Sequence, residues 1–356
     1  MNSSPFISAS SSTRSVMIDV IIALLPLLVI ALWAFGERAF VVVISCILSC
    51  LLVNVLSGYV ILNKSKVSMD GSAIITGILL AFTLSPLTPW YVCVFGGSMA
   101  ILFGKILWGG LGKNRFNPAL VGREFMTAFF PFIMNGGSLW DTGLYVNNID
   151  PGEYKIFLSG HFSTIIYNPT GALGEYSLVA ISLGGIYLLI RNRISWHIPF
   201  TFLVTLSLVQ SLLPIGNTIQ FSTGGVLLGA VFMATDMPTS PTHRNAKLYF
   251  GMMLGLVISL LLYSGVHHVY LSYGILIMNA FMKQIGEVMK PNAWGHSFQK
   301  DTLEKIGQTS FHILLITFSV ISLHKADVIN WLIFGYAGYM LFKFYDQTQF
   351  KTRALF

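Results

Sequence analysis

Gly71-Ser72-Ala73-Ile74-Ile75-Thr76-Gly77-Ile78-Leu79-Leu80-Ala81-Phe82-Thr83-Leu84-Ser85-Pro86 aligns without a gap on Thr223-Gly224-Gly225-Val226-Leu227-Leu228-Gly229-Ala230-Val231-Phe232-Met233-Ala234-Thr235-Asp236-Met237-Pro238. Gly77 falls on Gly229, Thr83 on Thr235 and Pro86 on Pro238. Each copy is a glycine-rich apolar piece that stops at a proline and precedes a longer apolar run. Such a piece is too short to cross about 30 Å of hydrocarbon by itself. Self-similarity at a fixed spacing signals a repeat architecture, with units near 71–134 and 223–286. Short, Gly/Pro-interrupted apolar segments in matching positions point to broken helices and a site near the bilayer midplane. The competing reading is two helices that pack closely through small residues.

The 356 residues are 54% hydrophobic and 10% charged, with a mean hydropathy of +0.71. Soluble domains carry about a quarter charged residues, so the composition predicts an all-α polytopic membrane protein. Long apolar runs lie at 17–35, 39–62, 88–108, 177–190, 197–214, 248–264, 269–282 and 331–342, with shorter ones at 73–84, 118–134, 225–235 and 311–323. About ten transmembrane segments follow. With the N-terminus in the cytoplasm and one crossing per run, nearly all of the 21 Lys and Arg residues collect in inside loops. Only Arg38, Lys155 and Lys325 fall outside, and Lys105 stays within a segment. Lys/Arg bias sets orientation, and under it the first repeat copy runs outward and the second inward, an inverted repeat. The net charge of +7 reads as a topology signal, not as a nucleic-acid surface. Residues 1–16 read as a cytoplasmic tail without a cleavable signal, 17–290 as the membrane core with an outer loop at 135–176, and 291–356 as a polar linker and a C-terminal hairpin.

Function concentrates in Leu111 to Arg123, a polar segment between two apolar runs. Lys113, Arg115, Arg123, Asn114 and Asn117 are expensive at membrane depth unless they line a cavity or hold a ligand. Asp236 ends the second broken helix beside Thr235, and an acid in or near the membrane is a candidate for an ion path or relay; a turn cap before Pro238 is the alternative. Asp19, one turn into the first helix, carries the same two readings. Cys46, Cys50 and Cys93 make neither a tetrathiolate site nor an even disulfide set, so they are expected to face the core or lipid, with no metal. His267 and His268 are adjacent, about 100° apart on a helix, and read as a loop; His197 beside Trp196 reads as an interfacial anchor.

Several blocks in order resemble the family of the D subunit of the Rnf complex, an ion-translocating ferredoxin:NAD oxidoreductase, and the related B subunit of the sodium-pumping NADH:quinone oxidoreductase. They are Ser4-Pro5 with Ser12-Thr13-Arg14 and Asp19 to Pro26, then Asp70 to Gly77, Gly112 to Leu120, Gly171 to Glu175, Ile194 to Pro199 and Met233 to Pro241. The resemblance covers roughly Ser4 to Trp294. It implies a flavin-carrying membrane subunit, in a prokaryotic cytoplasmic membrane, that passes electrons between neighbouring subunits while ions cross. It also implies that Asn114, Asn117 and Pro118 contact a riboflavin or FMN ring, which carboxamides can meet as donor and acceptor. Lys113, Arg115 or Arg123 would then steady negative charge on the reduced ring or hold phosphate, against a competing role as anchors of helix ends at the cytoplasmic surface, and Thr235 would join the cofactor contacts. Helix capping is the competing role for both asparagines.

The family's covalent FMN is attached through phosphate to a threonine in a Ser/Thr-Gly-Ala-Thr or similar motif on the outer side. That motif is missing here; Thr142 matches loosely, and Thr164 and Thr170 lack the flanks. The expected flavin is therefore non-covalent. The chain has no nucleotide-phosphate loop and no cluster-ligand cysteines, so it would act within a complex, which the resemblance implies includes a flavin-carrying outer-side subunit. A small-solute channel or transporter is another reading, since such proteins are also built from inverted repeats with broken helices, and a non-redox scaffold is a third, which follows from the missing threonine motif.

Overall fold

The computed structural model describes residues 12–60, 71–136, 140, 171–212, 222–266, 268–290 and 300–353. Their regular structure is helical, as a chain in lipid requires when its backbone groups must be satisfied within each segment. Among the described residues, five helices are long and apolar enough to cross a membrane, and four shorter apolar ones accompany them. The chain is an integral membrane protein: large side chains such as Val29, Trp33, Leu52, Leu56, Trp331 and Phe342 are more than 60% exposed on the outer faces of the first two helices and the last, where lipid is their solvent.

Helices α1 (Thr13–Phe35) and α2 (Glu37–Val60) are joined at Gly36, whose φ of 56° ends α1 in a left-handed turn. Ser12 caps α1, its hydroxyl accepting from the Ser15 N–H at 3.2 Å. The half-length α3 (Ser72–Phe82) stops before Pro86, and α4 (Trp90–Gly104) leads through a single tight turn at Ile106–Trp108 to α5 (Pro118–Phe129). The run expected at 118–134 breaks at Phe130, because Pro131 cannot continue the hydrogen-bond ladder, and only the short α6 (Pro131–Met134) follows. The second array holds α7 (Leu178–Ile190), α8 (His197–Leu212), α9 (Thr223–Leu228), which continues as a π turn over Gly229–Met233, α10 (Arg244–Tyr263) and α11 (Tyr270–Val288). Gly71 and Thr223, which open the aligned copies, are 152 residues apart; so are Pro118 and Tyr270, the first residues of α5 and α11.

The arrays also match in packing. The second and fourth helices form the most extensive pair in each, α2 on α4 and α8 on α10, and the fifth packs on the fourth. Gly77 shows why a glycine stands in the first short helix: a Cβ there would sit 2.7 Å from the Ile47 Cα of α2. Its aligned partner Gly229 lies against Leu271 of α11, where a Cβ would come within 2.6 Å. Between arrays, α1 lies on α7 and α5 on α11. Asn117 bonds to Asn279 while Arg123 bonds to the His268 carbonyl, so α5 and α11 run antiparallel. Asp19 meets Tyr187 and Arg193 while the Ala23 carbonyl meets Gly184, so α1 and α7 do too.

The C-terminal hairpin comprises α12 (Lys300–Lys325) and α13 (Ile329–Arg353), turned at Asp327 with a φ of 54°. The polar stretch before residue 308, expected as part of a linker, is already helical from Lys300; helix-forming Leu303, Glu304, Lys305 and Gln308 dominate it, and Gln308 donates to Glu304 one turn back at 3.3 Å. Cys46, Cys50 and Cys93 are all free and buried in the helix interior.

Candidate functional site at the junction of the arrays

The segment before α5 is shaped by positive φ angles at Gly109, Gly110 and Gly112, which turn the chain sharply at no Cβ cost. Asn117 then caps α5, its Oδ1 accepting from the Ala119 N–H at 3.0 Å, with Pro118 at the first helical position, where no N–H is needed. The Asn117 N–H donates to Asn279 Oδ1 at 3.1 Å, and the Asn279 amide donates in turn to the Thr239 carbonyl at 3.0 Å. A longer contact of 3.5 Å runs from Asn117 Nδ2 to the Met233 carbonyl, where the π turn ends. Asn117 and Asn279 are almost fully enclosed. One pair of carboxamides thus ties together the start of α5, the end of the broken helix, the loop after it and the middle of α11.

Asn114 is also buried, and its Nδ2 makes one long contact to the Phe116 carbonyl at 3.5 Å. Lys113 is exposed beside it, Pro118 is half-buried, and Arg115 donates to the Ala280 carbonyl at 2.8 Å. Across the junction, Thr235 is buried and its hydroxyl turns back to the Val231 carbonyl. Asp236 is half-buried; it accepts from the Thr239 hydroxyl at 3.1 Å and closes a turn with the Thr239 N–H at 3.2 Å. The turn-cap geometry is therefore present, and Thr239 links the acid to the asparagine cluster.

Two other candidates lie elsewhere. Arg123 points toward the opposite end of α11: its Nη2 donates to the His268 carbonyl at 2.6 Å and its guanidinium lies 5.7 Å from the Trp140 ring. Nine residues of helix, about 14 Å at 1.5 Å each, separate Tyr270, the first residue of α11, from Asn279. Asp19 is held by Arg193 at 2.6 Å, Arg191 at 3.3 Å and the Tyr187 hydroxyl at 3.1 Å, an ion-pair cluster between α1 and the end of α7. Thr142, Thr164 and Thr170 lie outside the described residues. Sequence reading missed Asn279, whose signal was a lone carboxamide inside an apolar helix. It also left Lys105 unassigned; buried, it donates to Asn54 at 3.1 Å and Ser72 at 2.6 Å, joining α2, α3 and the end of α4.

The model of the NQR2, RnfD, RnfE family matches residues 1–295. The chain belongs to this family. Among its relatives, the D subunit of the Na(+)-translocating ferredoxin:NAD(+) oxidoreductase complex of Acetobacterium woodii is 35% identical over 302 residues, covering 83% of this chain and 95% of that protein. The D subunit of the ion-translocating oxidoreductase complex of Stutzerimonas stutzeri is 31% identical, covering 81% and 93%. Its counterpart in Alcanivorax borkumensis is 29% identical, covering 83% and 96%. The family match takes in the whole junction and ends before α12, so the hairpin stands outside it.

Proposed function

We propose that this NQR2/RnfD/RnfE-family chain is a flavin-binding membrane subunit of an ion-translocating electron-transport complex, relaying electrons between subunits as Na⁺ or H⁺ crosses. The observation that carries the proposal is the convergence of Asn117, Asn279, Met233 and Thr239, two helix ends brought to one buried polar junction inside an apolar bundle. Helix ends present unpaired backbone groups, and lipid offers them no partner. In membrane proteins built from repeats such junctions hold ligands or ions.

The cofactor would lie against the glycine turn of residues 109–114. Asn117 spends its oxygen on the cap of α5, so Asn114 and the exposed Lys113 are the groups left to face a ring edge. The donor set fits a non-covalent flavin: a carboxamide offers both donor and acceptor, and the nearby cation favours the anionic reduced ring. Flavin, when bound, supplies one- and two-electron chemistry. Arg123, by contrast, orders the outer end of α5 against Trp140 and α11. Asp236 is the candidate acid of the ion path, positioned by Thr239.

The arrangement in the membrane follows the same reading: about ten crossings, the N-terminus in the cytoplasm of a prokaryotic cell, and two arrays inverted with respect to each other. The antiparallel pairs α1/α7 and α5/α11 and the shared 152-residue offset support inversion. The partners would be other membrane subunits of the complex, among them one carrying flavin on the outer side, as the relatives' names as complex subunits suggest. Flavin content of the purified chain before and after acid precipitation tests the cofactor. Flavin released by acid, with an unmodified 135–176 peptide in mass spectrometry, is expected; no flavin in either fraction overturns the proposal, and an FMN adduct on Thr142 overturns the non-covalent assignment.

A further inference from the structure

A cavity of about 250 Å³ opens between α5, α11 and the two arms of the hairpin. That is far more than one water needs. One wall belongs to the family core, with Phe125 and Leu276; the other comes from Ile316 of α12 and Ile333 of α13. The lining is nearly all hydrocarbon, with one carboxyl, Glu124. It is 5% exposed, and neither of its oxygens has a hydrogen-bond partner. The neighbouring Ser272 hydroxyl lies against this carboxyl and can serve one of its oxygens, which leaves the other. The two phenols of the lining are already in contacts: Tyr336 donates to the Phe103 carbonyl at 2.9 Å, and the Tyr273 hydroxyl lies 3.4 Å from His324 Nδ1. A buried carboxyl without a partner is costly, and a native fold retains it where something outside the chain completes it.

The hairpin decides where that partner comes from. α12 leans on α11, α13 leans on α5, and the arms touch each other little, so the cavity lies between them. Ile316 and Leu332 of its lining are 40% and 49% exposed to the lipid-facing side. A molecule entering there comes from the bilayer and must be mostly apolar.

We propose that this cavity binds a bilayer-borne alcohol, with its hydroxyl on Glu124 and its hydrocarbon body between α12 and α13. A hydroxyl both donates and accepts, so it satisfies the carboxyl in either protonation state. A plain hydrocarbon leaves the acid unpaired, and a fatty acid sets a second carboxyl against it.

The test uses membrane vesicles carrying the assembled complex and a photoreactive long-chain alcohol, with labelled positions read by peptide mass spectrometry. Saturable labelling on the Glu124 and Ile333 peptides is expected, competed by dodecanol and not by dodecane. Glu124→Leu cuts that labelling at least fivefold, and Ile333→Trp, which fills the cavity without touching the acid, does the same. Labelling that dodecane competes equally, or that both variants leave unchanged, overturns the proposal. So does an unlabelled cavity in the assembled complex, which assigns the crevice to a partner helix. Should Glu124→Leu not fold, the competition and the Ile333→Trp result still decide.

Discussion

Asn114 and Asn117 share a motif and part company in the structure. The Asn117 carboxamide caps a helix and its N–H holds Asn279, so Asn117→Ala is expected to cost about 1–2 kcal/mol from the lost cap, read as a lower melting temperature in detergent. Asn114 has only a long contact to Phe116; Asn114→Leu is expected to lose most bound flavin while the melting temperature stays close to wild type. Equal loss of stability in both variants would assign Asn114 to the scaffold. Asp236→Asn keeps an acceptor for Thr239 and removes the charge, so ion transport is expected to fall while electron transfer continues; unchanged transport with full electron transfer removes Asp236 from the ion path. Asp19 is a different kind of acid, enclosed by two arginines and a phenol. Its ion pairs join α1 to α7, and Asp19→Asn is expected to lower the melting temperature without changing the ratio of ions moved to electrons passed.

The short helices carry the next level. Gly77 lets α3 press onto α2 with no room for a methyl, and Gly77→Val is expected to cost roughly 1–3 kcal/mol, the usual range for overpacking, visible as poor extraction yield and a lowered melting temperature. The two copies differ at their ends. The second finishes in a π turn over Gly229–Met233, where hydrogen bonds that span one extra residue displace the carbonyls from their α-helical positions and leave that of Met233 facing Asn117. π turns gather at functional sites in this way. The alignment of Gly77 with Gly229 was legible; the wider turn was not, because it depends on what Leu271 and Asn117 present to that helix.

Across the whole molecule, matching contacts in the two arrays and antiparallel pairs between them make topology the decisive measurement. Single cysteines at 113 and 326, in a background without Cys46, Cys50 and Cys93, are expected to react with an impermeant maleimide from opposite sides of the membrane, 113 from the cytoplasm. Reaction of both from one side would overturn the proposed crossings. Class, helix content and the order of elements were legible in the sequence because hydrophobicity and proline placement act locally along the chain. So was the demand of the polar groups in 111–123 for partners, since they stand amid apolar runs.

Which partners they take was decided only by the tertiary structure. Lys113 stays in solvent while Lys105, equally cationic, is buried between Asn54 and Ser72. Arg123 and Glu124 are neighbours in the chain, yet one meets the His268 carbonyl and the other an apolar cavity closed by a hairpin two hundred residues away. Composition and periodicity alone determined that this chain lives in a membrane, as helices, because burying apolar area and satisfying the backbone depend on local residue type. The junction of Asn117 with Asn279 and the setting of Glu124 join residues over 150 apart; they exist only once α5 has packed against α11, and no local rule encodes that contact.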